Sequence, residues 1–352
     1  MLLIRNKKIK VLIVDDSLVF QEALARGVGG DPGIEVVGCA SDPYSARDLI
    51  IQTRPDVITL DVEMPRMDGI EFLKKLMPQY PLPAIMVSGM SNKVFEALHA
   101  GAVDFVVKPD ANNRISLDNL IKELNVKIKI ASTAKVGHWK SEVAQRVVDK
   151  SLQNRDDTLI AIGASTGGTE ATAQILKMLP RSIPGTLVVQ HMPPVFTRMY
   201  AERLNNTCLM EVIEARDGDR VIPGRVLIAP GDAHMRLKKK GGVYTVECRT
   251  GEKVNGHCPS VDVLFHSCLE YARNMIGVIL TGMGADGAQG LLALRRKGAR
   301  TIGQNEETCV VYGMPKIAYD IGAVEQQLAL SRIPQAIYAC LKGDVSNEEG
   351  MM

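Results

Sequence analysis

The sequence predicts an α/β protein made of two doubly wound parallel-sheet domains, one in each half of the chain. Three observations carry that reading. Short, continuous apolar runs rich in β-branched residues recur along the chain, as in IKVLIV at 9–14. Such runs suit strands buried on both faces, the condition of a parallel sheet. Stretches of helical period stand between them. The alternation lapses once, over 129–156, where the chain is polar and charged, holds Trp139 and lacks any strand-like run. At about 150 residues per domain, 352 residues also amount to roughly two domains.

In the first half the strands are IKVLIV (9–14), IEVVGCA (34–40), DVITLD (56–61), AIMVS (84–88) and DFVVKP (104–109). Ser17 is placed to cap a helix that begins SLVFQEALARGV. Further helices are expected through Ala46–Thr53, at Ile70–Met77, around Asn92–Ala100 and near Leu117–Ile128. This defines a first domain at 1–128 and a linker at 129–156 with some helical tendency. A larger domain follows at 157–342, and 343–352 reads as a flexible tail. The second βα series runs through TLIAIGAS, TEATAQILKML, TLVVQHM, FTRMYAERLN, MEVIEA, VLIAP and YTVEC. It closes with a helix around Val261–Ala272, then IGVILTGMGADG, AQGLLALRRKG and ARTIGQ.

Composition narrows the function classes. Hydrophobic residues make up 46% and charged residues 23%, which suits a globular chain and excludes a disordered one. A net charge of +2 gives no bias toward nucleic acid or an anionic membrane surface. Apolar runs fall well short of the about 18 residues of a membrane span, and MLLIRNKKIK lacks a signal peptide's apolar core. The seven cysteines form no CxxC pair and read as free thiols of a cytoplasmic protein. His257, Cys258, His266 and Cys268 cluster in sequence, but at a spacing that matches no common zinc module.

Residues that directly follow parallel strands meet in the crevice at the strands' C-terminal ends. In the first domain that rim collects Asp15, Asp16 and Asp61, with Ser88 and Lys108 at the ends of the fourth and fifth strands. Singly, the aspartates could be helix caps or turn residues. Together they form an all-oxygen set suited to Mg²⁺, with a carboxylate nucleophile and a cationic clamp for a phosphoryl group. VLIVDDS, TLDVEMPRMDG, MVSGMS and GAVDFVVKP resemble the receiver domain of two-component response regulators, a flavodoxin-like fold. The resemblance implies Asp61 as phospho-acceptor and Mg²⁺ held by Asp15, Asp16, Asp61 and the Glu63 carbonyl. It further implies Ser88 and Lys108 as phosphoryl-binding residues, Phe105 as the aromatic switch and a cis Lys108–Pro109 peptide.

In the second domain, Gly163-Ala164-Ser165-Thr166-Gly167 fits G-x-S-x-G between a strand and a helix. That is the setting of a nucleophile elbow, although a glycine-rich turn there could also cradle phosphate. His191 directly follows the strand TLVVQ, and Asp286 lies in the loop after the strand GVIL. Serine, histidine and aspartate at three strand ends of one rim read as nucleophile, base and orienting acid. GASTGG, VVQHMPPVFTRMYAERL, RVLIAPGDAHM, NGHCPSVDVLF and VILTGMGADGAQGLLALRRKGA look like the chemotaxis protein-glutamate methylesterase/protein-glutamine glutaminase family. The resemblance implies a Rossmann-like hydrolase domain, with Ser165, His191 and Asp286 as the triad. The backbone N–H groups of Thr166 and Met283 become the expected oxyanion hole, and no cofactor is expected in this domain.

The implied substrates are methylated glutamates and certain glutamines on the cytoplasmic helices of methyl-accepting chemotaxis receptors. A chemotaxis histidine kinase would be the phosphodonor, and neither nucleic acid nor membrane insertion is expected. A receiver placed before an esterase is useful only if its phosphorylation alters Ser165, and the expectation is that the unphosphorylated receiver occludes the site. A DNA-binding response regulator and a receiver fused to a nucleotide-binding sensor are the other classes considered. The first lacks a basic recognition helix and the second lacks a G-x-G-x-x-G loop.

Overall fold

The computed structural model describes residues 7–89, 93–109, 116–137 and 157–342. The segment around Trp139, the tail at 343–352 and the Asn92 start expected for one helix lie outside them. The chain divides into two compact units, Met1–Lys140 and Ser141–Met352.

The first unit holds β1 (Ile9–Val14), α1 (Leu18–Gly29), β2 (Ile34–Ala40), α2 (Pro43–Thr53) and β3 (Val57–Asp61). It continues with α3 (Gly69–Leu76), β4 (Ala84–Ser88), α4 (Lys93–His99), β5 (Asp104–Val107) and α5 (Leu117–Ala131). The sheet order is β2-β1-β3-β4-β5, all parallel. Helices α1, α2 and α3 start on side-chain caps: the Ser17 hydroxyl accepts from Phe20 N, Asp42 from Tyr44 N and Ser45 N, and Asp68 from Glu71 N. Val11–Val14 are fully buried, so these four residues of β1 contribute about 1.5–3 kcal/mol per side chain to the core, and Asp15 and Asp16 follow directly past the strand's end. Helix α5 runs to Ala131 rather than Ile128, because Leu120, Leu124, Ile128 and Ala131 form one buried stripe.

The second unit holds β6 (Leu159–Ala164), α6 (Gly168–Met178), β7 (Gly185–Gln190), α7 (Phe196–Thr207), β8 (Glu211–Glu214) and β9 (Arg225–Ile228). Next come β10 (His234–Lys240), β11 (Val243–Arg249), α8 (Val261–Ser267), β12 (Met275–Ile279) and α9 (Ala288–Arg296). The unit ends with β13 (Arg300–Gln304), α10 (Met314–Asp320), β14 (Gln326–Leu328) and α11 (Ile333–Lys342). Seven parallel strands follow the order β14-β13-β12-β6-β7-β9-β8. Both units are thus doubly wound parallel sheets.

Three local expectations fail. Strands β10 and β11 pair antiparallel as a separate ribbon, turned at Gly241 and Gly242 with φ of 58° and 83°. HMRLKKK hides its strand character behind consecutive lysines, and YTVEC therefore belongs to the ribbon, not to the βα series. The helix expected over Val261–Ala272 stops at Ser267 and passes into a 3₁₀ turn at Leu269–Asn274. The Ser267 hydroxyl donates to Leu264 O (2.6 Å) and accepts from Leu237 N of β10 (2.8 Å), which ties the helix end to the ribbon. The Lys108–Pro109 peptide is trans; the cis peptide among the described residues is Cys258–Pro259.

Candidate active site

In the second unit the chain moves from β6 through β7 to β9 on one side of the sheet, and from β12 through β13 to β14 on the other. The crevice of such a fold opens where the order reverses, between β6 and β12. Ser165 stands there, one residue past β6, with α6 beginning at Gly168. Its own N–H donates to Thr281 O (3.0 Å) and its carbonyl accepts from Gly168 N (2.7 Å). The Thr281 hydroxyl donates back to Thr166 O (3.0 Å). Gly282 is required by close approach, since a Cβ there would lie 2.6 Å from Ser165 Cβ and 2.5 Å from Met314 Sδ.

On the other flank, Gln190 of β7 pairs in register with Ala164, and His191 N donates to Ala164 O (3.1 Å). Ser165 and His191 therefore leave adjacent strand ends side by side. The Gln190 amide secures the junction by donating to Ser165 O (2.8 Å) and His191 O (3.3 Å).

His191 Nε2 lies 2.8 Å from Asp286 Oδ2. Its Nδ1 is buried and finds no partner among the described residues. The structure thus brings His191 and Asp286 into direct contact and Ser165 to the same rim, with no Ser165–His191 hydrogen bond formed among the described residues.

Asp286 is 1% exposed and accepts from five donors. Oδ2 takes His191 Nε2 and Val261 N (2.7 Å); Oδ1 takes Ser260 Oγ (2.7 Å), Asn255 Nδ2 (2.9 Å) and Asp262 N (3.2 Å). Burial alone would raise this carboxyl, but the hydrogen bonds from His191, Asn255 and Ser260 overcome it and hold it well below the usual carboxylate range. A fixed carboxylate on Nε2 keeps the proton on that nitrogen and leaves Nδ1 as the basic one. Of the two residues whose backbone amides are expected to form an oxyanion hole, Thr166 is buried and Met283 is 44% exposed.

Asn255, Ser260 and Asp262 were not singled out from the sequence, and His257, whose ring stacks on His191 at 3.7 Å between centroids, was noted only as part of a histidine–cysteine cluster. The signal available was the Asn-Gly pair in NGHCPS, a turn motif that positions its neighbours. His257, Cys258, His266 and Cys268 do not assemble a metal site: His266 Nδ1 faces Asp262 O (2.8 Å) and Cys268 is buried. All seven cysteines are free.

In the first unit, Asp15, Asp16 and Asp61 offer carboxylate oxygens within 4.8 Å of one another. Among the described residues no other group of three His, Cys, Asp or Glu is placed to hold an ion. Lys108 Nζ reaches Asp15 Oδ2 (2.6 Å) and Asp61 Oδ2 (2.7 Å). Burial raises the Asp61 carboxyl despite Lys108, and nearby Asp15 adds to the rise. Acidic oxygens so crowded call for a hard cation, and the donor set fits Mg²⁺. Glu63 N donates to Asp61 Oδ1 (3.2 Å), Ser88 Oγ is buried without a partner among the described residues, and Phe105 is buried.

Comparison with known proteins agrees with this division. The model of the response regulator receiver domain matches residues 11–122, and that of the CheB methylesterase matches 160–337. A protein-glutamate methylesterase/protein-glutamine glutaminase of Syntrophomonas wolfei is 60% identical, over 95% of this chain and 98% of its own length. A protein of the same name in Salmonella typhimurium is 48% identical, over 94% of this chain and 97% of its own. The crystal structure of the Thermotoga maritima CheB methylesterase catalytic domain superposes with a TM-score of 0.51 at 40% identity. It covers 52% of this chain and 98% of its own. With a receiver model, a methylesterase model and full-length relatives all matching, the chain belongs to the CheB family of receiver-linked methylesterases.

Proposed function

We propose that this chain demethylates glutamate methyl esters and deamidates glutamines on chemoreceptor cytoplasmic helices for chemotactic adaptation, under control of receiver phosphorylation. It would act in the cytoplasm; among the described residues no helix is long and apolar enough to cross a membrane. The observation that carries the reading is the His191–Asp286 contact at 2.8 Å, which leaves Nδ1 of His191 unpartnered beside the strand end that bears Ser165.

The chemistry follows from those groups. Ser165 Oγ attacks the ester or amide carbonyl carbon as its proton passes to His191 Nδ1. Asp286 holds the Nε2–H tautomer and stabilises the imidazolium that forms. The tetrahedral oxyanion is received by the N–H groups of Thr166 and Met283. His191 then returns the proton to the leaving group, releasing methanol from the ester or ammonia from the amide. A water activated by His191 attacks the acyl-serine, and glutamate leaves. Both substrates pass through the same oxyanion, so one site serves both.

In the receiver, Asp61 is the acceptor for a phosphoryl group from the chemotaxis histidine kinase. Asp15, Asp16, Asp61 and the Glu63 carbonyl would hold Mg²⁺, which neutralises the transferring oxygens. Lys108 and Ser88 receive the phosphoryl oxygens, and Phe105 is the side chain that reports the change. Methanol release from a methylated receptor fragment tests the hydrolase. Ser165→Ala is expected to leave less than a few per cent of the wild-type rate. A higher residual rate would assign the nucleophile elsewhere.

A further inference from the structure

His191 has a neighbour that the triad does not use. The His257 imidazole lies flat on the His191 ring, with centroids 3.7 Å apart and planes 8° from parallel. This contact is built by the backbone. Val254 and His257 exchange both N–H···O bonds at 3.0 Å, closing a two-residue turn through Asn255 (φ 52°) and Gly256 (φ 83°). Two positive φ values are those of a type I′ turn, for which Asn-Gly is the preferred pair. The Asn255 amide anchors the turn to the acid of the site, donating to Asp286 Oδ1 (2.9 Å) and Asp262 Oδ2 (2.7 Å). The same turn therefore braces Asp286 from one side and delivers an aromatic face to His191 from another.

One hydrogen bond to Asp286 fixes a point on the His191 ring but lets the ring pivot about that bond. A flat ring pressed on its face removes the pivot. We propose that His257 is a positioning residue: its imidazole face holds the plane of His191, so that Nδ1 keeps one direction toward the serine proton. The face also meets the charge that spreads over His191 when it accepts that proton, and aromatic faces attract cations. Burial and the nearby His191 lower the His257 pKa from 6.5 to about 4, so the stacking ring is itself neutral in the working range.

The inference rests on the roles of Ser165 and His191 given above, and the test separates the two. Full-length chain, with Mg²⁺ and a small phosphodonor, is assayed for methanol release as wild type, His257→Phe, His257→Leu and Ser165→Ala. Leucine fills the space without a flat face; phenylalanine restores the face without nitrogens. His257→Leu is expected to lower kcat about 10- to 100-fold, the scale of lost alignment, with KM changed less than about twofold. His257→Phe is expected to recover kcat to within about threefold of wild type. ¹⁵N NMR of His191 should show the Nε2–H tautomer in wild type and both His257 variants, because Asp286 is intact, with the ring signals broadened by motion in His257→Leu alone. Equal kcat in the leucine and phenylalanine variants, whether both high or both low, would overturn the proposal. If Ser165→Ala retained activity, the triad itself would fail, whatever His257 did.

Discussion

Asp286 is the residue on which most of the site's order depends. Each of its oxygens accepts at least two hydrogen bonds, from side chains and from the backbone at Val261 and Asp262. Replacing it by asparagine keeps the shape and turns one acceptor into a donor facing donors. Asp286→Asn should therefore lose about 10³–10⁴-fold in kcat, the scale known for triad aspartates, because the His191 tautomer is no longer imposed. It should also lower the unfolding temperature, since each stranded buried donor costs about 1–3 kcal/mol. Methanol release and a thermal melt on the same variant check both.

His257 yields a second prediction at this scale. Its pKa drops on folding from 6.5 to about 4, so between those values the unfolded chain binds a proton that the folded chain refuses. Stability attributable to His257 is then present above about pH 6.5 and is lost as pH falls toward 4. Asp286 has the same sign in a lower pH window. Its depressed carboxyl adds stability above the ordinary carboxylate range, and that contribution is lost as pH falls below that range. Melts between pH 7 and 4.5 should show a destabilisation that His257→Phe reduces, and an unchanged slope in that variant would contradict it.

Among the elements, the β12–α9 loop decides whether Ser165 is held in place. Gly282 packs its backbone against Ser165, with no room for a Cβ. Gly282→Ala should push the loop away from Ser165 and the Met283 amide away from the oxyanion. Overpacking of this kind costs about 1–3 kcal/mol. The expected readout is a fall in kcat larger than any change in the binding of a non-hydrolysed receptor peptide. Most elements could be read in sequence, because a buried parallel strand must be apolar throughout, as in AIMVS and LIAIGA. The β10 strand could not, because a two-stranded ribbon exposed on one face tolerates Arg236, Lys238 and Lys240 at alternate positions, and Lys239 fills the gap. The break after Ser267 escaped for another reason: it depends on Leu237, a partner from a distant part of the chain.

For the whole molecule, the proposed control of the serine in one unit by the acidic pocket of the other is open to a direct test. Each unit has its own sheet and core, so both can be compared separately. A fragment beginning at residue 157 should hydrolyse receptor esters faster than the unphosphorylated full chain. Every tenfold difference would correspond to about 1.4 kcal/mol of restraint. Asp61→Asn should keep the full chain at its low rate even with Mg²⁺ and phosphodonor. Equal rates for fragment and unphosphorylated chain would mean that the receiver activates rather than restrains.

The placement of Ser165, His191, Asp15, Asp61, Ser88 and Lys108 at strand ends was legible in the sequence, for one physical reason. A residue just past a buried parallel strand has a single place to go, the crevice at the strand ends, so strand boundaries read from apolar runs locate it. Periodicity is silent, however, on which strand lies beside which. That β12 borders β6, and so brings Thr281 and Gly282 against Ser165, follows only from the packed sheet. The five donors on Asp286 and the His257 ring on His191 likewise join distant residues through a tight turn and one strand order. Contacts of that kind are set by three-dimensional packing, which no local pattern of residues encodes.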